Sequence, residues 1–418
     1  MAADGVKLSS ILPVRWTGEF DMQGFKKNIR VYLQNLNTFG KSKHSKHINI
    51  NMFNIFRMVS FWVLSVALLI VLPHSNAAGQ SSSEYTSSEL TEEESWSMVI
   101  LPDPQTYVKF GRNQGILELM TGWVEENITN LNIGMVLCTG DLVEQNNILR
   151  GDGTNGNQSS LNQWRAIDRA FSRLDHRVPY ILAAGNHDFG YANIENRHTY
   201  YDTYITADRN PLNEKMLREY YISESGMPTL ANSVSEFTEP NGASYLFLNL
   251  EFAPRDEVIE WAREVTEQEK YKDHNVIVLT HSYMNARNER FKREGYPVEN
   301  ANYGEAIWEK LIYPSRNIVM VIAGHIGSPH DERAHMAFKQ DERMDGGRVT
   351  EMVFNAQALG GGWHGNGGDG WLRYLEFLPD GNTVRVKTFS PFFAISPATQ
   401  HLAWRTSDYD QFEFKLSN

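Results

Sequence analysis

The chain has 418 residues, of which 22% are charged and 41% hydrophobic, and its formal net charge is −12. This composition is typical of a globular protein and excludes disorder, collagen or a coiled coil as the main architecture. The acidic balance argues against specific nucleic-acid binding, because phosphate backbones select basic surfaces. The single cysteine, Cys138, excludes an intramolecular disulfide and a CxxC zinc site, so a bound metal would need His, Asp, Asn or Glu ligands.

The N-terminal region differs from the rest in charge and contains an apolar run. Residues 1–51 hold eight Lys or Arg against three Asp or Glu, and the fourteen residues 59–72 carry no charge. Such a run is shorter than the ~20 apolar residues of a membrane-spanning helix. Ser75 and Ala77 follow it at the spacing of a signal peptidase site. We therefore expect 52–77 to be a signal peptide cleaved before Ala78, and 1–51 to be a mis-assigned gene start.

An uncleaved signal anchor is the alternative for the same segment. The run is preceded by positive charge and followed by acidic residues, so the positive-inside rule places the following domain outside the cytoplasm. Both alternatives predict export, as a secreted or a membrane-anchored extracytoplasmic protein, with membrane contact only through this segment. Residues 78–95 are rich in Ser and Glu and predict a flexible linker. The folded domain is therefore expected over 96–418.

Apolar strands alternate with helical patterns from Trp96 onward. Helical spacing of apolar residues predicts helices around 116–123 and 161–174, and further helices are expected at 255–270 and 304–311. Residues 146–160 and 331–348 are expected to be surface loops, because the first is rich in Gly and Asn and the second is highly charged. Strands are expected at 97–101, 133–138, 178–184, 244–249, 276–280, 318–323, 351–355, 372–377 and 383–388. This order predicts an α/β fold with two sheets packed between helices.

Polar side chains stand at or just beyond the C-terminal ends of five expected strands. Strand ends of an α/β sheet meet along one rim, where such folds keep their functional sites. Carboxylate, amide and imidazole ligands together suit Mn, Fe or Zn. The residues are Asp103, Asp141, Asn186, His281 and His325. The sequence therefore predicts a metal site at this rim.

The motifs around these residues occur in a characteristic order. They are Asp103-Pro-Gln105, Gly140-Asp141, Gly185-Asn186-His187-Asp188, Thr280-His281 and Gly324-His325-Ile-Gly327. On these motifs the chain resembles the calcineurin-like metallophosphoesterases, the superfamily that includes purple acid phosphatases, from Met98 to about Pro391. The resemblance implies a four-layer α/β/β/α sandwich of two mixed sheets flanked by helices. It also implies two divalent ions bridged by Asp141, one completed by Asn186, His281 and His325, the other bound by Asp103.

The resemblance implies hydrolysis of a phosphate ester by metal-activated water. His187 is expected to face the substrate and either to protonate the leaving oxygen or to stabilise the developing charge, and Asp188 is expected to orient its ring. The two glycines, Gly140 and Gly185, are expected to let the backbone turn so that the next side chain meets the metal. The substrate is expected to be a phosphorylated small molecule or polymer. The sequence leaves the oligomeric state open.

The chain departs from the family pattern at two positions of one metal site. Gln105 stands where the family usually has the histidine of Asp-x-His, and Gly327 where it has the second histidine of Gly-His-x-His. The change resembles an exported subgroup with Asp-x-Gln, and the Asn355-Ala-Gln357 segment resembles that subgroup too. We expect Gln105 to ligate through its amide oxygen and the second ion to bind weakly.

Four further residues are candidates for the site, and one other function fits the same motifs. His330 and His364 are candidate substitutes for the missing imidazole, and Glu144 and Arg373 are candidates to line the site. The alternative function is a degenerate family member that binds a metal or a phosphorylated ligand without turnover. The intact ligand motifs favour an enzyme.

Overall fold

The structure, a computed structural model, describes residues 87–222, 226–240 and 242–416. Its strands are β1 (Trp96–Leu101), β2 (Ile133–Cys138), β3 (Tyr180–Leu182), β4 (Leu217–Ile222), β5 (Pro228–Thr238), β6 (Ser244–Asn249), β7 (Asn275–Leu279), β8 (Ile318–Ala323), β9 (Met336–Glu342), β10 (Arg348–Phe354), β11 (Leu372–Phe377), β12 (Thr383–Phe389), β13 (Trp404–Arg405) and β14 (Phe412–Lys415). The signal segment and the N-terminal extension expected from the sequence lie outside these ranges.

Most of the helices are short. They are α1 (Gln105–Val108), α2 (Gln114–Asn127), α3 (Ser160–Ser172), α4 (Tyr201–Tyr204), α5 (Pro211–Met216), α6 (Asp256–Thr266), α7 (Gly304–Ile307, continued by a wider turn over Trp308–Ile312) and α8 (Pro391–Ala394). Single 3₁₀ turns include Asn186–Asp188, Glu332–His335 and Gly362–His364. Within the described ranges, no helix has the length and apolar character needed to cross a bilayer.

The strands form two seven-stranded mixed sheets. The first has the order β13-β12-β11-β1-β2-β3, with β14 also paired to β12, and the second has the order β4-β5-β6-β7-β8-β10-β9. Strands β1, β2 and β3 run parallel, as do β6, β7, β8 and β10. The other pairs are antiparallel. The mixed character of both sheets, expected from the family resemblance, is confirmed.

The sheets pack face to face and each carries helices on its outer face. Strand β1 shows this by alternation: Met98 and Ile100 enter the core between the sheets, whereas Val99 and Leu101 join the core beneath the helices. Helix α2 buries Leu117, Met120 and Val124 there, at the spacing of one helix face. Helix α6 covers the second sheet in the same way. The expected α/β/β/α sandwich is confirmed.

One expected loop is wrong over part of its length. The charged stretch 331–348 contains β9, which pairs antiparallel with β10 from Met336↔Phe354 to Glu342↔Arg348. Its charges are compatible with a strand because β9 is an edge strand, where charged side chains reach solvent or ion partners. Lys339 Nζ lies 3.0 Å from Asp341 Oδ2 on the same strand face. Strands β4 and β5 were also not expected.

The end of the expected linker is attached to the domain. Thr91 Oγ1 donates a hydrogen bond of 2.8 Å to Glu376 Oε2 on β11. Lys387 Nζ on β12 donates to the Glu89 carbonyl at 2.9 Å and lies 2.8 Å from Glu376 Oε2. The segment 87–95 therefore contacts strands β11 and β12 of the first sheet.

Candidate active site

The polar residues expected at the strand ends lie together. His281 Nε2, just after β7, is 3.1 Å from Asp141 Oδ2, 3.2 Å from Asn186 Oδ1 and 3.1 Å from His325 Nδ1. One ligand atom from each of Asp141, His281 and His325 lies within 4.8 Å of the others. Strands β2, β3, β7 and β8 deliver these side chains, because their carboxyl ends open on one rim.

Hydrogen bonds fix which nitrogen of each histidine faces this cluster. His281 Nδ1 contacts the Thr139 carbonyl at 2.8 Å, and His325 Nε2 lies 3.0 Å from Glu294 Oε1. Because a carbonyl or a carboxylate accepts, these nitrogens carry the protons, and His281 Nε2 and His325 Nδ1 are left as ligand atoms. Imidazole nitrogens, a carboxylate and an amide oxygen fit a divalent transition-metal ion.

The cluster carries charge that a cation would compensate. Burial works against protonation of His281, but the carboxylates of Asp141 and Asp103 raise its pKa to about 10. Burial also opposes ionisation of Asp141, yet His281 and His187 hold its pKa well below the usual range. An ion that binds here takes the place of the His281 proton.

The local backbone is unusual at the ligands. Asp141 has φ 49° and His325 has φ 73°, both in the left-handed region that side chains other than glycine rarely adopt. Gly140 has φ 103°, which confirms the expected sharp turn before Asp141. Gly185 has an ordinary extended conformation, and glycine is needed there because a Cβ would lie 2.2 Å from Asp141 Oδ1.

Asp103 lies beside the cluster and is fully buried. Its Oδ1 accepts from Thr139 Oγ1 at 2.6 Å. Its Oδ2 accepts from the His325 backbone N–H at 2.9 Å and from Asn355 Nδ2 at 2.7 Å, with Gln357 Nε2 at 3.4 Å. Burial, reinforced by the Asp141 carboxylate, raises the pKa of Asp103, although His281, the Thr139 hydroxyl and the His325 N–H oppose the rise.

Gln105 is buried at the start of α1, and its Oε1 has no hydrogen-bond partner among the described residues. An unpartnered buried amide oxygen is compatible with the expected role as a ligand. The residues expected to hold a second ion thus offer one unpartnered amide oxygen, on Gln105, and one carboxylate, on Asp103, most of whose acceptor sites are engaged by protein donors.

His187 and Asp188 occupy different environments. His187 Nδ1 contacts the Glu144 carbonyl at 2.7 Å, and its backbone N–H donates to Asp141 Oδ1 at 3.0 Å. Burial works against its charge, but Asp141 and Glu144 raise the pKa of His187 above its usual value.

The expected orienting bond from Asp188 to the His187 ring is wrong. The Asp188 carboxylate accepts the backbone N–H groups of Gly185 at 2.8 Å and of Leu142 and Val143 at 3.0 Å. The short 3₁₀ turn over Asn186–Asp188 lets the Asp188 side chain bond back to the Gly185 backbone. Burial, followed by the Asp141 carboxylate, raises the pKa of Asp188 to about 7. The Glu144 carbonyl orients the ring instead.

The cluster opens into a cavity of about 420 Å³. Glu144 lines it, as the sequence suggested, and so does His364, one of the two candidate substitutes for the missing imidazole. The other candidates, His330 and Arg373, line other cavities. The remaining wall is partly aromatic, with Tyr296 and Trp363. The lining residues are Gln105, Lys109, Asp141, Glu144, Asn155, Asn186, His187, Tyr296, His325, Gln357, Trp363 and His364.

Several contributors were not expected from the sequence. Glu294 lies in a charged loop and carries no local signal. Lys109 is the only charged residue of the segment QTYVKF, a signal that could have drawn attention. Asn355 and Gln357 belong to a segment that resembles the Asp-x-Gln subgroup, but their contact with Asp103 spans some 250 residues of sequence.

Comparison with known proteins supports the same class of site. The family model of the calcineurin-like phosphoesterases matches residues 100–329, more than half of the chain. The chain therefore belongs to the calcineurin-like phosphoesterase family. This membership supports divalent-metal binding and metal-dependent hydrolysis of phosphate esters.

Individual relatives are distant. The chain is 28% identical over 304 residues to the uncharacterised protein YvnB of Bacillus subtilis (strain 168), a match that covers 71% of this chain and 20% of that protein. The chain thus spans about a fifth of the length of this curated relative. Similar solved structures include a dimetal phosphatase from Danio rerio, with TM-score 0.40, 11% identity, and 77% of this chain and 99% of that chain covered. The structure of PhoD is similar with a TM-score of 0.40 and 10% identity, and the match covers 79% of this chain and 71% of the PhoD chain. Likeness at this level carries no statement about activity.

Proposed function

We propose that the protein is an exported phosphoesterase that uses a divalent ion, Mn, Fe or Zn, to hydrolyse a phosphorylated small molecule or polymer. The observation that supports it most directly is the convergence of Asp141, His281 and His325, with one ligand atom each within 4.8 Å. Asn186 completes the set, since its Oδ1 lies 3.2 Å from His281 Nε2. His187 lines the same cavity.

In this proposal the ion, His187 and Asp188 have different roles. When bound, a divalent ion supplies Lewis acidity to the attacking water and to the phosphoryl oxygens. The Glu144 carbonyl holds His187 Nδ1 at 2.7 Å, which leaves Nε2 to meet the leaving oxygen of the substrate. Asp188 acts indirectly, because its carboxylate holds the loops after β2 and β3 together.

We propose metal positions of unequal strength. The first has four protein ligands, Asp141, Asn186, His281 and His325. The second has Asp103, the shared Asp141 and the amide of Gln105. A neutral amide is a weaker donor than imidazole for these metals, and most acceptor sites of Asp103 are engaged by protein donors. The second ion is therefore the weaker one.

The enzymatic proposal is tested by hydrolysis of aryl phosphate monoesters and diesters by the full chain with added Mn²⁺ or Zn²⁺. We expect turnover that a chelator abolishes and that returns when the metal is restored. His281→Ala serves as the matched control, because it removes the central imidazole of the cluster. Phosphate binding without turnover in any divalent metal would favour the degenerate family member instead.

Export is a separate proposal with its own test. It is supported by the apolar run 59–72 and the small residues Ser75 and Ala77. Protein collected outside the cytoplasm should begin near Ala78 by N-terminal sequencing. Recovery of residues 1–51 on the exported protein would contradict cleavage. Membrane contact, on this proposal, occurs only where the N-terminal segment stays attached, and specific nucleic-acid binding is not expected.

A further inference from the structure

Lys109 is a buried cation in the wall of the active-site cavity. Its side chain is 3% exposed, and the residue lines the cavity together with Asp141 and His187. Its backbone N–H donates to the Gln105 carbonyl at 3.0 Å, so one helical turn places Lys109 and Gln105 on the same wall. Burying an ammonium group is costly unless a partner compensates it.

Glu144 is that partner in the structure. Lys109 Nζ lies 3.0 Å from Glu144 Oε2, and Glu144 also lines the cavity. The backbone carbonyl of the same glutamate holds His187 Nδ1 at 2.7 Å. One residue thus positions both the ammonium group and the imidazole, which places a cation and the expected proton donor on adjoining parts of one wall.

The Asp103 carboxylate, which is expected to bind a second ion, is largely engaged by protein donors. Asp103 Oδ2 accepts from Asn355 Nδ2 at 2.7 Å, and the orientation of this amide is fixed because Asn355 Oδ1 accepts the Gln357 backbone N–H at 2.9 Å. With the His325 N–H on the same oxygen and Thr139 on the other, Asp103 offers little to a second ion. A phosphoryl group in transfer carries charge on several oxygens, so a cationic side chain beside the ion would stabilise it further.

We propose that Lys109 binds the phosphate group of the substrate and supplies the positive charge that a weakly bound second ion provides poorly. The inference rests on the proposed function and adds a substrate-binding residue to it. An ammonium group suits this role, since it acts as a point charge with three donors and one bond to Glu144 leaves two for phosphate oxygens. The ligand chemistry is a phosphate group, either free or esterified.

Inorganic phosphate is the probe, titrated calorimetrically into the full chain loaded with Mn²⁺. Lys109→Met keeps most of the side-chain length and removes the charge, so phosphate affinity should fall by roughly 10- to 100-fold, the loss of one or two charge-assisted hydrogen bonds. The Mn²⁺ content, measured by elemental analysis, should stay at the wild-type value. Lys109→Arg keeps the charge and should retain part of the affinity.

Glu144→Gln is the matched control, because it breaks the same ion pair from the other side. It removes a competing carboxylate and keeps the backbone carbonyl that holds His187, so phosphate should bind more tightly than in the wild type. A structural role of the pair predicts parallel losses in both variants, and that result would overturn the proposal. Should Lys109→Met not fold, the comparison of Glu144→Gln and Lys109→Arg with the wild type still decides.

The outcomes also separate this inference from the proposed function. Wild-type hydrolysis of phosphate esters, combined with equal phosphate affinity in Lys109→Met, would refute the role of Lys109 and leave the enzyme standing. Absence of both hydrolysis and phosphate binding in the wild type would refute the proposed function itself.

Discussion

Glu294 offers the most informative single perturbation of the proposed metal site. Its Oε1 lies 3.0 Å from His325 Nε2, its Oε2 accepts from Ser282 Oγ at 2.9 Å, and its side chain is only 9% exposed. The carboxylate therefore holds the His325 ring in the form that leaves Nδ1 facing His281. Removing such a partner of a metal ligand costs about 10- to 100-fold in metal affinity.

Two substitutions of Glu294 should lower metal affinity by different amounts within this 10- to 100-fold range. Glu294→Gln keeps an acceptor oxygen but loses the charge, so we expect about 10-fold weaker binding, or about 1.4 kcal/mol. Glu294→Ala loses the acceptor as well and should approach 100-fold, or about 2.7 kcal/mol. Calorimetric titration of metal-free protein with Mn²⁺ or Zn²⁺ measures both values.

The control is Glu299→Ala, which removes an exposed carboxylate five residues further along the same loop region. It should leave metal affinity at the wild-type value. Melting temperatures of the metal-free proteins show whether either variant is merely unfolded. An affinity of folded Glu294→Ala within a factor of two of the wild type would refute the assignment of His325 Nδ1 as the ligand atom.

Four further variants test the roles assigned to individual residues. His187→Ala should lower turnover by roughly 10²- to 10⁴-fold, the contribution of a general acid, with metal content unchanged by elemental analysis; joint loss of metal and activity would assign the ring to the metal. His281→Ala should abolish the tight ion and Gln105→Ala only the weak one in calorimetry, whereas two equally tight ions in the wild type would contradict unequal positions. Asp103→Asn should destabilise metal-free protein by about 1–3 kcal/mol in urea denaturation, because a buried donor loses its acceptor; unchanged stability would mean that Asp103 serves only the metal.

The sequence predicted the buried parallel strands well because their signal is local. The strands Ile133–Cys138 and Ile318–Ala323 have the expected bounds, since each is an apolar run closed by polar or glycine residues. Strand β9 was hidden because its signal is not local. Its sequence, MAFKQDE, is as charged as a loop, and it becomes a strand through pairing with β10 and ion pairs such as Arg290 to Asp341.

The site shows the same distinction. Strand-end positions indicated which side chains would meet, and the structure brings Asp141, Asn186, His281 and His325 together as expected. The partners that orient them depend on contacts between distant segments. Glu294 reaches His325 from a loop without regular structure, and nothing in its neighbours along the chain marks it. The predicted bond from Asp188 to the His187 ring was wrong for a related reason. The two residues are adjacent in sequence, but adjacency does not imply contact between their side chains.

Asp103 is both a predicted metal ligand and a contact between the two sheets. It follows β1 of the first sheet, and its carboxylate accepts from Thr139, which follows β2 of that sheet. It also accepts from His325 N–H and Asn355 Nδ2, which follow β8 and β10 of the second sheet. A buried carboxylate with donors from both sheets holds the rim together whether or not an ion is bound. An Asp held in this way has a structural role of its own, so its presence is weaker support for a second ion than the motif implies. Gln105 and Gly327 in place of two imidazoles, and the amides of Asn355 and Gln357 on Asp103, are consistent with this view, because these donors take up carboxylate acceptor sites that a second ion would need.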